Sequence, residues 1–252
     1  MSNNKSNNSP LVSYTQLSPN HSGIRTQPVD RITPHCIVGQ LSVETLGSIF
    51  VQKARKASCN YGIGEDGRVG LYVDEANRSW CSSNPDNDQR AVTIECASDR
   101  QEPYAFKDVV YNKLIDLCVD ICKRHGKKKL LWLENKDRTL RYKTDPDEML
   151  LTVHRWFAKK SCPGDWMFAR MGDLAEEVTA RLDDSGLDGK SSNSNSNNSN
   201  SSTVFYRVRK SWDKPNSQIA AFTKLENAKN CVLLNPAYSV FDDEGNKIYS
   251  VE

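Results

Sequence analysis

The chain has 252 residues, enough to bury one core of ordinary size and to carry a small second unit. Its 34 basic and 32 acidic residues leave a formal net charge of only +2, which argues against a nucleic-acid-binding protein that relies on a strong positive field. The sequence has no apolar run of the roughly 20 residues that a membrane helix needs, and the opening residues MSNNKSNNSP lack the apolar segment of a secretory signal. We therefore expect no nucleic-acid partner, no membrane insertion and synthesis in a cytoplasm without a signal peptide.

Predicted strands and helices alternate along most of the chain. This order favours an α/β domain with one mixed central sheet flanked by helices. The dipeptide Asp66-Gly67 suits the positive backbone angles of a hairpin turn, and Gly126 ends a strongly amphipathic helix. The predicted elements are a strand at 32–39, a helix at 43–57, a hairpin at 60–72, a strand at 91–97, a helix at 106–124, a short strand at 130–133 and a closing helix at 174–182.

A run of serine and asparagine at 190–202 separates this region from a small C-terminal unit. Such a run has nothing to bury, and its side chains compete for the backbone's own hydrogen bonds, so we expect a flexible tether. After it, a strand at 205–209, a helix at 225–233 and a hairpin around 244–246 predict a small α+β domain. The predicted organisation is a polar N-terminal extension at 1–24, a large domain at 25–188, a linker at 189–203 and a C-terminal domain at 204–252.

The eight cysteines are scattered along the chain and form no Cys-x-x-Cys pair. In a chain made in a cytoplasm, this pattern is more typical of free thiols than of a disulfide framework. Cys118 and Cys122 lie four residues apart in an apolar helical pattern, so we interpret them as small buried side chains on one helix face rather than as a metal-binding pair.

Two of the four histidines lie in informative contexts. His35 lies in a predicted strand, and His154 begins the segment HRWFAKKSCPGDW, in which the turn-forming Pro163-Gly164 follows Cys162. A loop that folds back there would place an imidazole and a thiolate on one metal ion, with His35 as third ligand, as in a catalytic zinc site with an open position. The alternative is a buried histidine and an unrelated buried thiol. His125 is interpreted as a helix cap, and His21 carries no signal.

Four segments together resemble a known family. ITPHCIVGQ, SCNYGIGEDGRVGLYV, NDQRAVTIECAS and LTVHRWFAKKSCPGDW are similar, in order and spacing, to the signatures of the type-2 N-acetylmuramoyl-L-alanine amidases of phage lysins, relatives of the peptidoglycan recognition proteins. The resemblance runs from about residue 25 to 182, and its last segment is the most specific. It implies a zinc-dependent enzyme (Zn²⁺ cofactor) that cuts the amide bond between N-acetylmuramic acid and the L-alanine of the stem peptide.

The resemblance also assigns metal ligands. His35, His154 and Cys162 match the three zinc ligands of the family. Cys36 follows His35 directly, and some relatives have a second histidine there. Because successive side chains of a strand point to opposite faces, we do not count Cys36 as a ligand.

Three further residues match positions that act in the chemistry. Glu95 matches the general base and acid, and it lies on the strand face opposite Val92, Ile94 and Cys96; the alternative is an ordinary exposed charge. Lys160 matches a basic residue that contacts the developing oxyanion, although solvated surface charge would also explain it. Tyr61 matches an aromatic residue that lines the site, or it packs the hairpin.

The C-terminal unit is weakly similar to the sporulation-related repeat, a module that binds peptidoglycan glycan, through FYRVRKSW and KLENAKNCVLL. Tyr206, Trp212 and Tyr238 would suit stacking on sugars, or they pack the core.

Together, the resemblances favour a phage or prophage endolysin that leaves the host cytoplasm through a holin-type pore and then acts on the cell wall, with bacterial peptidoglycan as its partner. The alternatives are a non-catalytic peptidoglycan-recognition protein and a cytosolic amidase that recycles soluble muropeptides. The oligomeric state is unknown at this stage.

Overall fold

The computed structural model describes residues 8–184, 205–222 and 225–251, so the predicted linker lies outside the described residues. The chain divides into two compact units, residues 1–186 and 187–252. The first unit contains β1 (Val12–Thr15), β2 (His21–Ile24), β3 (Arg31–Cys36), α1 (Val43–Phe50), β4 (Tyr61–Ile63), β5 (Val69–Leu71), β6 (Asn77–Ser79), α2 (Pro85–Arg90), β7 (Ala91–Cys96), α3 (Asp108–Arg124), β8 (Lys129–Leu131), α4 (Lys136–Arg141), β9 (Glu148–Leu151), α5 (Asp165–Phe168) and α6 (Met171–Asp184).

A mixed sheet of seven strands forms the centre of the first unit, in the order β1-β5-β4-β7-β3-β9-β8. Only the β4–β5 pair within this sheet is antiparallel; the other neighbours run parallel. Helices α3 and α6 contact each other, and α6 also packs on β8. The predicted α/β class with a mixed central sheet flanked by helices is therefore confirmed.

Local signals account for most of these elements. The predicted hairpin is β4–β5, and Gly67 in its turn has a φ of +80°. Helix α3 ends at Arg124, with His125 as its C-cap and Gly126 at a φ of +66°. Helix α1 is shorter than predicted because the chain leaves the α-helix after Phe50 and forms a short 3₁₀ turn at Lys53–Arg55. Cys118 and Cys122 lie fully buried on α3, as interpreted from their spacing.

The N-terminal segment requires a correction. Residues 1–24 were predicted to be a polar extension that precedes the domain, yet part of this segment belongs to the fold. Strand β1 pairs in parallel with β5 at the edge of the central sheet, and β2 pairs with β6. These strands alternate between exposed and half-buried residues and are only four residues long, so their hydrophobic pattern is too weak to indicate a strand.

A buried ionic cluster lies between β4 and the end of α3. The carboxylate of Glu75, only 2% exposed, accepts hydrogen bonds from both terminal nitrogens of Arg124, at 2.7 and 2.8 Å, and from the hydroxyl of Tyr61 at 2.7 Å. Nε2 of His125 lies 2.6 Å from the same carboxylate. The hydroxyl of Tyr61 in turn accepts a hydrogen bond from the backbone N–H of Ser9 at 2.9 Å. The cluster thus ties the N-terminal segment to the sheet and to α3.

The second unit is a small α+β domain, as predicted. Its elements are β10 (Tyr206–Arg209), β11 (Ala220–Phe222), α7 (Leu225–Leu234), β12 (Ser239–Phe241) and β13 (Lys247–Ser250). The four strands form an antiparallel sheet in the order β11-β10-β12-β13, and α7 packs on it. Tyr206 and Tyr238 are partly buried against its core, and the ring of Trp212 lies 5.9 Å from that of Phe241. Across the described parts of the chain, no helix has the length and apolarity to cross a membrane.

Candidate metal centre

Three chain segments meet at the ends of neighbouring strands. His35 lies in β3 and is fully buried, whereas His154 lies in a 3₁₀ turn just after β9, which pairs with β3. Cys162 is brought back towards His154 because the N–H of Arg155 donates to the carbonyl of Cys162 at 3.0 Å. The turn after it requires a glycine: Gly164 has a φ of +85°, and a Cβ there would lie 2.7 Å from the carbonyl oxygen of Pro103.

These three side chains converge. One ligand atom from each of His35, His154 and Cys162 lies within 4.8 Å of the others. Nδ1 of His35 is 3.2 Å from Sγ of Cys162, and the two imidazole centroids are 5.0 Å apart. Nitrogen and sulfur ligands of one tetrahedral zinc ion lie about 3.5 Å apart, given the usual bond lengths. The donor set and its spacing therefore fit zinc, with three protein ligands and room for a fourth.

The protonation states suit metal binding as well. Burial, followed by the nearby His154, holds the pKa of His35 well below its ordinary value, and burial together with Lys160 lowers the pKa of His154. Both imidazoles are therefore neutral at pH 7, the form that binds metals. Burial raises the pKa of the Cys162 thiol, so a metal must displace its proton. Nε2 of His154 forms a hydrogen bond of 3.1 Å with the hydroxyl of Ser83, which fixes the ring.

Glu95 lies beside this cluster. The parallel pairing of β3 and β7 places Glu95 opposite His35, so both side chains lie on the same face of the sheet. Burial raises the pKa of Glu95 to about 7, against the opposing effects of the Cys81 thiol and Arg55. Within the described residues, its Oε2 atom is buried without a hydrogen-bond partner. A carboxyl group with these properties can exchange protons near neutral pH.

A groove of about 730 Å³ connects Glu95 and His154 with solvent. The exposed side chain of Lys160 lies on its wall; the oxyanion contact that the resemblance implies for it stays a prediction. Most of the charged residues on this wall are basic, which favours an anionic or carboxylate-bearing substrate. The basic residues of the groove are Lys53, Arg55, Lys56, Arg78 and Lys160.

Tyr61 does not take the predicted place in the site. It is fully buried, and its hydroxyl binds Glu75 in the ionic cluster described above. The register explains why: Tyr61 pairs with Ile94 and Gly62 pairs with Glu95, so Tyr61 points to the apolar face of the sheet. A role in contact with substrate is therefore wrong for Tyr61, and the alternative that it packs the hairpin agrees with the structure.

Sequence reasoning missed the loop that precedes α2. Cys81 donates from its thiol to Oε1 of Glu95 at 3.8 Å, and Ser83 binds His154. The carboxylate of Asp88 anchors the loop between them, because it accepts hydrogen bonds from the N–H groups of Cys81 and Ser82 at 3.0 and 3.1 Å. The polar composition of the segment CSSNPD was the available signal, but it does not indicate which site the loop supports.

Comparison with known proteins identifies the family. A sequence profile described as N-acetylmuramoyl-L-alanine amidase matches residues 25–165, more than half of the chain. The chain belongs to this family. The activity that the family implies is that of a peptidoglycan amidase, with peptidoglycan as its partner, and zinc is the metal general to the family. No curated protein sequence matches the chain significantly.

Solved structures similar to this amidase-family chain include the following three. A mutant of PlyL is 10% identical, with a TM-score of 0.48 over 66% of this chain and 98% of that one. A selenomethionine derivative of AmpD is 16% identical, with a TM-score of 0.47 over 66% and 97%. The Ph2119 endolysin of a Thermus scotoductus bacteriophage is 20% identical, with a TM-score of 0.42 over 60% and 89%.

Proposed function

We propose that this chain is a zinc-dependent endolysin that hydrolyses the amide bond between N-acetylmuramic acid and the L-alanine of the stem peptide. The observation that carries the proposal is the convergence of His35, His154 and Cys162 at one end of a groove that Glu95 and Lys160 also line. Two imidazoles and one thiolate, with the fourth coordination position open towards a groove, are typical of a catalytic zinc site. A structural zinc site usually has four protein ligands.

The two imidazoles and the thiolate of Cys162 would hold zinc, which would supply Lewis-acid polarisation of the scissile carbonyl and a lower pKa of the attacking water. Glu95 accepts a proton from that water and later delivers it to the departing nitrogen of L-alanine. The ammonium group of Lys160 stabilises the negative charge that develops on the carbonyl oxygen. Ser83 holds His154 in place, and Cys81 contacts the proton-accepting carboxylate.

The decisive experiment is the digestion of purified bacterial cell walls with and without a chelator. We expect new amino termini on L-alanine, no new reducing sugars, and loss of activity after chelation that Zn²⁺ restores. New reducing ends would instead indicate a glycosidase, and activity that survives complete removal of metal would contradict the zinc mechanism. Wall binding without any cleavage would favour the non-catalytic recognition protein.

The C-terminal domain is proposed to bind the wall and so to raise the local concentration of the amidase domain on an insoluble substrate. Lysis of the host would then require release through a pore formed by another protein. Deletion of residues 190–252 should reduce the lysis of intact cells far more than the cleavage of soluble muropeptides. Equal losses on both substrates would contradict the targeting role and favour a recycling amidase.

A further inference from the structure

A second group of metal-ligand atoms shares His35 with the first. One ligand atom from each of His35, Cys81 and Glu95 lies within 4.8 Å of the others. Apart from His35, the group contains neither of the other two ligands of the first site, and nothing in the proposed chemistry requires the thiol of Cys81. Nitrogen, sulfur and carboxylate oxygen together form a donor set that thiophilic divalent cations accept.

Two polar atoms of this group have no hydrogen-bond partner within the described residues. Nε2 of His35 is one; the side chain is fully buried, and its other nitrogen, Nδ1, faces Cys162 at 3.2 Å. Oε2 of Glu95 is the other. Buried polar atoms normally find a partner, and one that lacks it calls for a ligand, an ion or a functional role. Here both atoms belong to the same small group.

The spacing that allows this weak thiol hydrogen bond also suits a cation. Sγ of Cys81 lies 3.8 Å from Oε1 of Glu95. Sulfur and oxygen ligands of one tetrahedral zinc ion lie about 3.6 Å apart, given the usual bond lengths. Cys81 is also half-buried and lies on the wall of the groove, so a cation has a path from solvent.

The geometry points to a second, inhibitory cation site formed by Cys81 and Glu95, with Nε2 of His35 as third ligand. When Nδ1 of His35 already holds the first ion, Nε2 binds the second only as imidazolate, so His35 bridges the two ions and its ring proton, like that of the Cys81 thiol, is released to solvent. Because a carboxylate that ligates a cation cannot at the same time accept a proton, an ion here withdraws Glu95 from the chemistry. Excess Zn²⁺ therefore inhibits the same centre that one equivalent of Zn²⁺ activates. The inhibitory consequence rests on the proposed function, whereas the site itself does not.

The test compares the wild type with Cys81→Ser, which keeps the side-chain volume and removes the thiol. Equilibrium dialysis against Zn²⁺ alone measures the bound metal, and Co²⁺ substitution reports thiolate ligation by its charge-transfer absorption. We expect about two equivalents in the wild type and loss of the weaker one in Cys81→Ser, with a parallel decrease of the cobalt–thiolate band. Cys118→Ser, which makes the same change at a fully buried thiol on α3, outside the group, should keep both equivalents.

The activity arm records, for each protein, the ratio of wall hydrolysis at excess Zn²⁺ to that at one equivalent. We expect this ratio to be low in the wild type and close to one in Cys81→Ser. A second equivalent that persists in Cys81→Ser would overturn the site, as would a wild type that binds only one. If no protein hydrolyses walls while the stoichiometry still depends on Cys81, the proposed function fails and the cation site stands.

Discussion

Glu75 and the half-buried Glu95, two glutamates of the same domain, differ in their hydrogen-bond partners and in the pKa of their carboxyl groups. Glu75 accepts hydrogen bonds from Arg124 and Tyr61 and lies against His125. Among the described residues, the carboxyl group of Glu95 accepts one side-chain hydrogen bond, from the thiol of Cys81, and its other oxygen is buried without a partner. Burial alone would raise the pKa of both. The hydrogen bonds from His125 and Arg124 lower the pKa of Glu75 to about 2, while that of Glu95 rises to about 7.

This comparison distinguishes polar groups that stabilise the fold from polar groups that take part in chemistry. A buried carboxylate whose oxygens are all satisfied keeps its charge and holds chain segments together. One that is left partly unsatisfied beside metal-ligand side chains is ready to exchange a proton or bind an ion. Within one domain, the count of hydrogen-bond partners thus distinguishes these two carboxyl groups better than burial does.

The largest expected effect is that of Glu95→Gln. Without a proton acceptor, kcat on cell walls should fall about 10²–10⁴-fold. The equivalent of zinc held by His35, His154 and Cys162 should stay bound. The free energy of unfolding should not decrease, because the substitution removes a carboxyl group with few partners. Turnover close to that of the wild type would remove Glu95 from the mechanism.

Glu75→Gln should have the opposite profile. It leaves the half-buried Arg124 with Asp120 as its recorded counter-charge. Because the charge-assisted hydrogen bonds to Glu75 are weakened, the free energy of unfolding should fall by about 3 kcal/mol, measured by urea denaturation. The kcat of the molecules that remain folded should change little. A loss of kcat without a loss of stability would assign Glu75 to the chemistry and invalidate the comparison.

The pH dependence of the unfolding free energy, compared between the wild type and Glu75→Gln, tests the same ion pair. The pKa of Glu75 falls from 4.5 to about 2 on folding, so the unfolded chain takes up the proton first as the pH decreases. Its stabilising effect is therefore complete above pH 4.5 and is lost as the pH falls towards about 2. The difference in unfolding free energy between the wild type and Glu75→Gln should shrink across this window, and a constant difference would contradict the ion-pair explanation.

Tyr61→Phe tests the correction made by the structure. Loss of a hydrogen bond to a charged, buried partner should decrease the unfolding free energy by about 1.5–3 kcal/mol. Because the hydroxyl lies in the Glu75 cluster, kcat should stay unchanged. A decrease of kcat in a fully folded Tyr61→Phe protein would restore the catalytic role that the sequence resemblance implied.

Ser83→Ala should have the smallest effect of the series. Removal of the hydroxyl that orients His154 should weaken zinc binding about 10–100-fold, measured by competition with a chelator, while zinc-saturated protein keeps most of its activity. Ser83 has a φ of +59°, so Ser83→Gly serves as the matched control for backbone strain. Equal weakening in both variants supports the hydrogen bond, and weakening in Ser83→Ala alone would indicate strain instead.

The sequence predicted the α/β class, the hairpin at Gly67 and helix α3 because periodicity and turn residues act locally. The spacing of His154 and Cys162 also indicated that these two residues and His35 could meet at one metal centre. The sequence alone could not predict which face of the sheet Tyr61 points to. That face is set by the register between β4 and β7, which local patterns do not determine. Cys81 and Ser83 were missed for a similar reason: the position of their loop is set by Asp88, a contact that no periodicity encodes.

Strand β1 has a practical consequence for anyone who shortens this protein. The family match begins at residue 25, but a chain cut there would lose the parallel neighbour of β5 and the Ser9 contact to Tyr61. Strand β5 would then become an exposed edge strand. Exposed edge strands pair with other molecules and cause aggregation. The folded domain therefore starts before residue 25, where the family match begins. Soluble fragments should retain residues from Asn8 onwards, because Asn8 accepts a hydrogen bond from the N–H of Glu75.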